Sequence, residues 1–232
     1  MIERLRYEVR LAYPEEVARI PALERAAAEL FREAGLTGDW IDAVHPLDEL
    51  AAAQREKRLW VVSAPPGDVV GFALAEMIGT TPHLAEIGVL PVHARRGLGR
   101  RLVAAVMDWA RARNAESVTL STFRDLAWNG PFYAKLGFRE IPADELPAEL
   151  RALVERERSV GLPVERRVVM RCTLERISTR SASAGRRRRG AADRAARPRR
   201  RGRCVPRSTA RRRRRGRRRP RHATSSTARA RA

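Results

Sequence analysis

The chain has 232 residues, enough for one domain of ordinary size and a further segment. Its formal net charge of +21 is unevenly placed: residues 1–177 carry 25 basic and 26 acidic side chains, whereas residues 178–232 carry 23 arginines against the single acid Asp193. Two distant cysteines and four scattered histidines offer neither a disulfide framework nor a metal-ligand spacing. Met1–Arg6 lacks the apolar run of a secretory leader, and no apolar stretch nears the ~20 residues that span a bilayer, so a cytoplasmic protein without metal or membrane contact is expected.

The residues up to Leu11 alternate weakly and predict a first strand. Tyr13-Pro14-Glu15-Glu16 reads as a helix start, with proline in the first turn and acids near the positive end of the dipole. After Pro21, the spacing of Leu23, Ala27, Leu30 and Phe31 predicts an amphipathic helix that Gly35 ends. A loop with Trp40, Asp42 and His45 leads to a second helix, Leu47 to Lys57. Leu59–Ser63 and Val69–Ile78 predict a hairpin around Pro65-Pro66-Gly67-Asp68, with Gly71 a candidate bulge. A third strand follows over Leu84–Leu90. Gly97-Leu98-Gly99 opens a helix to Arg113, with Leu102, Val106, Trp109 and Ala110 on one face. Then come a strand (Val118–Thr122), a short helix (Asn129–Leu136), a short strand (Phe138–Ile141), a polar helix (Pro147–Ser159) and a last strand (Arg167–Leu174). The strand–helix–strand unit should form a parallel pair. The class is α/β or α+β, a mixed sheet with helices on both faces.

Arg95-Arg96-Gly97-Leu98-Gly99-Arg100-Arg101 lies between an apolar strand and an amphipathic helix. Its glycines let the backbone approach a ligand closely, the first helical amides lack internal partners, and the arginines attract a polyanion. The loop lacks the third glycine of a dinucleotide fingerprint and the Gly-Lys-Ser/Thr of a Walker loop. By pattern alone it is also compatible with a glycine-capped turn carrying solvated arginines.

Glu86-Ile87-Gly88-Val89-Leu90-Pro91 followed by the arginine–glycine loop resembles the cofactor motif of the GNAT superfamily of N-acetyltransferases. Asn129-Gly130-Pro131-Phe132-Tyr133-Ala134-Lys135-Leu136-Gly137-Phe138 resembles that superfamily's second motif, in the same order and with one strand between. The resemblance covers roughly residues 5–175. It implies a mostly antiparallel mixed central sheet, acetyl-CoA as acetyl donor, and direct transfer to an amine. Val89, Leu90, Arg95, Arg96, Gly97, Leu98, Gly99 and Arg100 would hold the cofactor, the pyrophosphate mainly through backbone amides. Members usually carry Gln or Arg where this chain has Ala94, a position at which alanine still supplies its amide.

Acetyl transfer needs a neutral amine and a protonated leaving thiolate. The resemblance makes Tyr133 the acid at the CoA sulfur; as a bare pattern, Phe132, Tyr133 and Phe138 also read as core aromatics. Glu86, an acid among apolar strand residues, is the candidate base, or else a solvent-facing residue of a one-sided strand. Asn129 would bond the pantetheine arm or cap its helix. Trp40 and Trp128, with Asp42 and His45, would line the acceptor site or form local surface and core.

Residues 178–232 hold arginine runs at 186–189, 199–201, 211–215 and 217–219, with no aromatics and no apolar periodicity. They predict a disordered tail beside a domain of residues 1–177. Such a tail could bind nucleic acid. Its near restriction to Arg, Ala, Gly, Pro, Ser and Thr equally fits a non-specific polycation or out-of-frame high-GC coding. Two function classes therefore stand: an N-acetyltransferase acting on a small-molecule or peptide amine, and a nucleic-acid-associated protein in which the domain is a binding module. Monomer and homodimer are both open.

Overall fold

Apolar alternation carries the middle of the chain into strands, and they join one seven-stranded sheet in the order β1-β2-β3-β4-β5-β7-β6. The strands are β1 (Glu8–Leu11), β2 (Leu59–Ala64), β3 (Asp68–Ile78), β4 (Thr81–Val89), β5 (Ser117–Phe123), β6 (Arg139–Glu140) and β7 (Arg167–Thr173). The helices are α1 (Ile20–Glu33), α2 (Leu47–Arg55), α3 (Leu98–Arg111), α4 (Gly130–Ala134) and α5 (Ala148–Ser159). This computed structural model describes residues 7–175; the arginine-rich segment, and with it the expected disorder and nucleic-acid binding, lies outside the described residues.

All neighbouring strands pair antiparallel except β4 and β5, which are parallel as the intervening helix requires. The sheet is therefore mixed and mostly antiparallel, as expected. β7 inserts between β5 and β6, an order that no local pattern encodes. The elements differ from expectation mainly at their ends: β4 begins at Thr81, and α2 ends at Arg55.

Alternation sorts the two faces. Val61, Phe72 and Leu74 pack with Leu23 of α1 and Leu50 of α2. Trp60, Val62 and Ala73 pack on the other face with Leu102 and Val106 of α3 and Tyr133 of α4. Leu102 and Val106 are almost wholly buried, each contributing about 1.5–3 kcal/mol through removal from water. Two bulges adjust the twist. Val62 faces Gly71 and Ser63 faces Val69, so Val70 is the extra residue, beside the glycine expected to mark it. Leu74 faces Glu86 and Ala75 faces Leu84, so Ala85 is extra in β4.

The parallel pair is short. β4 and β5 are in register only at His83–Thr119 and Leu84–Leu120, yet β4 continues to Val89 and β5 to Phe123. The two strands part beyond Leu84, opening a cleft through the sheet at their carboxyl ends. His83 Nδ1 and Thr119 Oγ1, 2.9 Å apart and buried, pin its apex.

Candidate active site

The loop after β4 is built to present amides. A single turn at Pro91–His93 is followed by Arg95 and Gly97 with φ of 58° and 75°. Both occupy the left-handed region, which glycine enters freely and arginine at some cost. α3 starts at Leu98, whose side chain is buried while its amide lies in the first turn. The Arg101 amide closes on the Gly97 carbonyl at 3.2 Å; the amides before it carry the positive end of the helix dipole without intrahelical partners. A Cβ at Gly97 would meet nothing within 4 Å, so the space above the turn is open, and one at Gly99 would lie 3.4 Å from Phe132 of α4. The guanidinium of Arg101 donates to the Tyr7 carbonyl at 2.9 Å, and Tyr7 Oη lies 2.9 Å from His93 Nδ1. The loop is thus tied to the start of the chain. Arg95, Arg96 and Arg100 are exposed around it.

The end of β4 offers a free backbone edge. The Leu90 amide donates to the Val70 carbonyl at 2.9 Å and its carbonyl accepts from the His93 amide at 2.8 Å. Leu90 therefore forms the turn, and its own amide is committed within the chain. In an antiparallel ladder alternate residues point their backbone groups to opposite sides, so Gly88 also faces β3, while Ile87 and Val89 face the cleft. Val89 is thereby placed for backbone bonding, and Ile87, which sequence reasoning missed, is placed likewise.

Glu86 and Tyr133 stand on opposite faces of the sheet, on either side of this cleft. Glu86 is opposite Leu74 and shares its face with α1 and α2. Tyr133 belongs to the α3 face, 5% exposed, its ring 5.1 Å from Phe132 and 5.8 Å from Phe138. Burial holds its phenol above the ordinary range, with Arg167 opposing and the charge of Glu86 adding to the effect. That phenol stays protonated at neutral pH.

Glu86 also has company that the sequence did not announce. His45 Nδ1 lies 2.8 Å from Glu24 Oε1 and 3.0 Å from Glu86 Oε2, and the His45 amide donates to Glu24 Oε2 at 3.1 Å. Burial lowers the affinity of His45 for its proton, but bonds to the two carboxylates outweigh this and push its pKa up to about 10. Partial burial raises the Glu86 carboxyl; His45 pulls it back down, and Glu24 pushes it up again. A cavity of about 710 Å³ reaches His45 and Ala85, with Glu49, Leu74, Glu76 and Met77 along its walls.

Against this geometry the comparisons are direct. The profile of the acetyltransferase (GNAT) family matches residues 21–138, half of the chain. The chain belongs to that family. It is an acetyl-CoA-dependent N-acetyltransferase, and its fold has solved counterparts. N-acetylglutamate synthase from Neisseria gonorrhoeae, complexed with coenzyme A and N-acetyl-glutamate, is 21% identical with a TM-score of 0.56, over 75% of this chain and 36% of that one. This acetyltransferase thus spans about a third of that synthase. PaiA N-acetyltransferase from Thermoplasma acidophilum, in complex with coenzyme A, is 14% identical with a TM-score of 0.57, over 73% and 99% of the two chains. Rv2747 from Mycobacterium tuberculosis, in complex with CoA and NLQ, is 21% identical with a TM-score of 0.53, over 72% and 99%.

The acetyltransferase's own residues suit acetyl-CoA. Open space over Gly97, outward amides of the first α3 turn and exposed arginines match a pyrophosphate, and the free edge at Ile87 and Val89 matches an amide-bearing arm. The remaining expected residues are placed as follows. Asn129 precedes α4, half-buried, and its side chain makes no cap bond; its carbonyl accepts from the Tyr133 amide at 3.0 Å. Trp40 packs against Phe31 and Phe123, with Nε1 donating to the Thr37 carbonyl, so its ring forms a wall at the end of β5. Trp128 is 40% exposed. Asp42 is paired with Arg32 at the surface. Glu24 was missed, although it sits one turn after Ile20 and before Ala28 on the apolar stripe of α1; an acid at a core position was the available signal. Among the described residues, no helix is long and apolar enough to cross a membrane.

Proposed function

We propose that the acetyl group passes directly from acetyl-CoA to a primary amine inside the cleft between β4 and β5, with Glu86 as base on one face and Tyr133 as acid on the other. The carrying observation is that these two residues flank the gap from opposite sides of the sheet. An amine approaching from the α1–α2 face meets Glu86, whose side chain keeps 35% of its exposure. The carboxylate takes the ammonium proton, directly or through a water, and the freed amine attacks the thioester carbonyl. The thiolate departs toward the α3–α4 face, where the Tyr133 phenol donates a proton to sulfur; the second proton of the attacking nitrogen is released as the tetrahedral adduct collapses to the amide, and it restores the phenol through solvent. No covalent enzyme intermediate is needed, because holding both substrates in one cleft supplies proximity.

The cavity beside His45 and Ala85 is the acceptor's approach. Glu49 and Glu76 line it, together with Glu56 paired to Arg58 and with Arg113 over Trp109. A small-molecule or peptide acceptor is supported by the similar N-acetylglutamate synthase, which is complexed with N-acetyl-glutamate. A panel of small amines, peptides and aminoglycoside-like compounds, scored by thiol release from acetyl-CoA, identifies it. With that acceptor, Glu86→Gln should lower kcat/KM by about 10²-fold or more while calorimetry shows acetyl-CoA affinity nearly unchanged. Wild-type turnover in the variant would refute Glu86 as base. Failure of the wild-type chain to bind acetyl-CoA would refute the site as a whole.

A further inference from the structure

We infer that Glu24 and His45 are positioning residues for Glu86: an imidazolium clamped between two carboxylates keeps the Glu86 carboxylate ionised and aimed at the acceptor ammonium. The inference rests on the reading of Glu86 as the base.

Glu24 is 2% exposed. A carboxylate so placed is costly unless its oxygens are bonded, and both are bonded by one residue. Oε2 receives the backbone amide of His45, and Oε1 lies against Nδ1. Two anchor points on one residue fix the loop and the plane of the ring together. Glu86 Oε2 then meets the same Nδ1 at 3.0 Å, and the polar atoms of all three residues lie within 4.8 Å of one another. Two carboxylates at this range repel, and a single cation between them offsets the repulsion. The surrounding charges are few. Glu24 and His45 face Glu86 on its own side of the sheet, and the neutral Tyr133 phenol feels its charge from across the cleft. His45 also acts on Glu76 of β3, which Arg58, Arg156 and Glu49 reach as well. His45 thus stays a cation through the neutral range and is no base itself.

Opposite signs follow for the two partners. His45→Asn removes the cation, so Glu86 should titrate higher; Glu24→Gln removes the like charge, so Glu86 should titrate lower. The full chain labelled with [15N]histidine and [13Cδ]glutamate reads both, with His45→Asn and Glu86→Gln assigning the signals. The expected result is a doubly protonated His45 ring well above the ordinary histidine range. The Glu86 midpoint should move up in His45→Asn and down in Glu24→Gln by about one pH unit each, and the acid limb of kcat/KM should move with it. A merely structural pair would not produce shifts of opposite sign. A neutral His45 at neutral pH, shifts of one sign, or turnover that requires a divalent cation and is lost in EDTA would overturn the clamp. Unchanged turnover in Glu86→Gln would instead overturn the base, with the titrations running as expected, so the two failures are separable.

Discussion

Tyr133 and Glu86 are tuned in the same direction by burial, with different consequences. For a phenol, a raised pKa leaves the neutral donor form in place across the working range. For a carboxylate, it improves the base but requires the solution to be alkaline enough to ionise it. The activity of this enzyme should therefore rise with pH through a midpoint above the ordinary carboxylate range, and Glu86→Gln should abolish that limb. Tyr133→Phe keeps the ring and its contacts with Phe132 and Phe138 and removes only the hydroxyl. Turnover should fall by about 10²-fold, with acetyl-CoA affinity by calorimetry nearly unchanged. A variant with undiminished turnover would take Tyr133 out of the chemistry. Both residues were legible in the sequence because a motif surrounds each. Glu24 was hidden: it stands 62 residues before Glu86, where the first motif begins, and only folding brings α1 under the end of β4.

Two elements shape the cleft, the turn into α3 and the apex of the parallel pair. At Gly97, φ is 75°, and a Cβ there finds space but not a comfortable backbone. Gly97→Ala should cost about 1–2 kcal/mol, seen as a lower unfolding midpoint, and should weaken acetyl-CoA binding by shifting the first amides of α3. At the apex, burial and the charges of Arg167 and Arg156 hold His83 neutral, with its pKa lowered to about 4 from an ordinary 6.5. Between those values the unfolded chain binds a proton that the folded chain does not, so stability is full above pH 6.5 and falls as pH drops toward 4. The loss should approach about 3 kcal/mol below that range. His83→Gln, which can still bond Thr119, should lose less stability on acidification, measured by thermal melts at several pH values. Helix and strand positions followed from periodicity and from glycine and proline. The short overlap of β4 and β5 did not, because the length of a ladder depends on a partner strand that local pattern cannot see.

At the scale of the whole chain, charge and chemistry are separate. The excess of arginine lies in residues 178–232, while residues 1–177 are nearly neutral and contain every residue placed around the cleft. A chain cut after Ile177 should bind acetyl-CoA as the full chain does and turn over a small amine at a similar rate. Any retention on heparin or DNA, falling steeply with salt, should belong to the full chain alone. Loss of acetyl-CoA binding on truncation would show instead that the basic segment contributes to the site.

The sequence by itself determined the order of elements, the glycine turn at Arg95–Arg101, the family and its acetyl donor. Those features rest on short-range chemistry: glycines where φ must be positive, amides at a helix start, apolar residues at fixed spacing. Tertiary structure alone decided that β7 enters between β5 and β6, that the extra residue of β4 is Ala85, and that the Leu90 amide is committed to Val70. It also brought Glu24 and His45 onto Glu86 and set Tyr133 on the opposite face. Each of these is a pairing between distant segments, and its energy depends on which partner arrives, a quantity that no window of sequence contains.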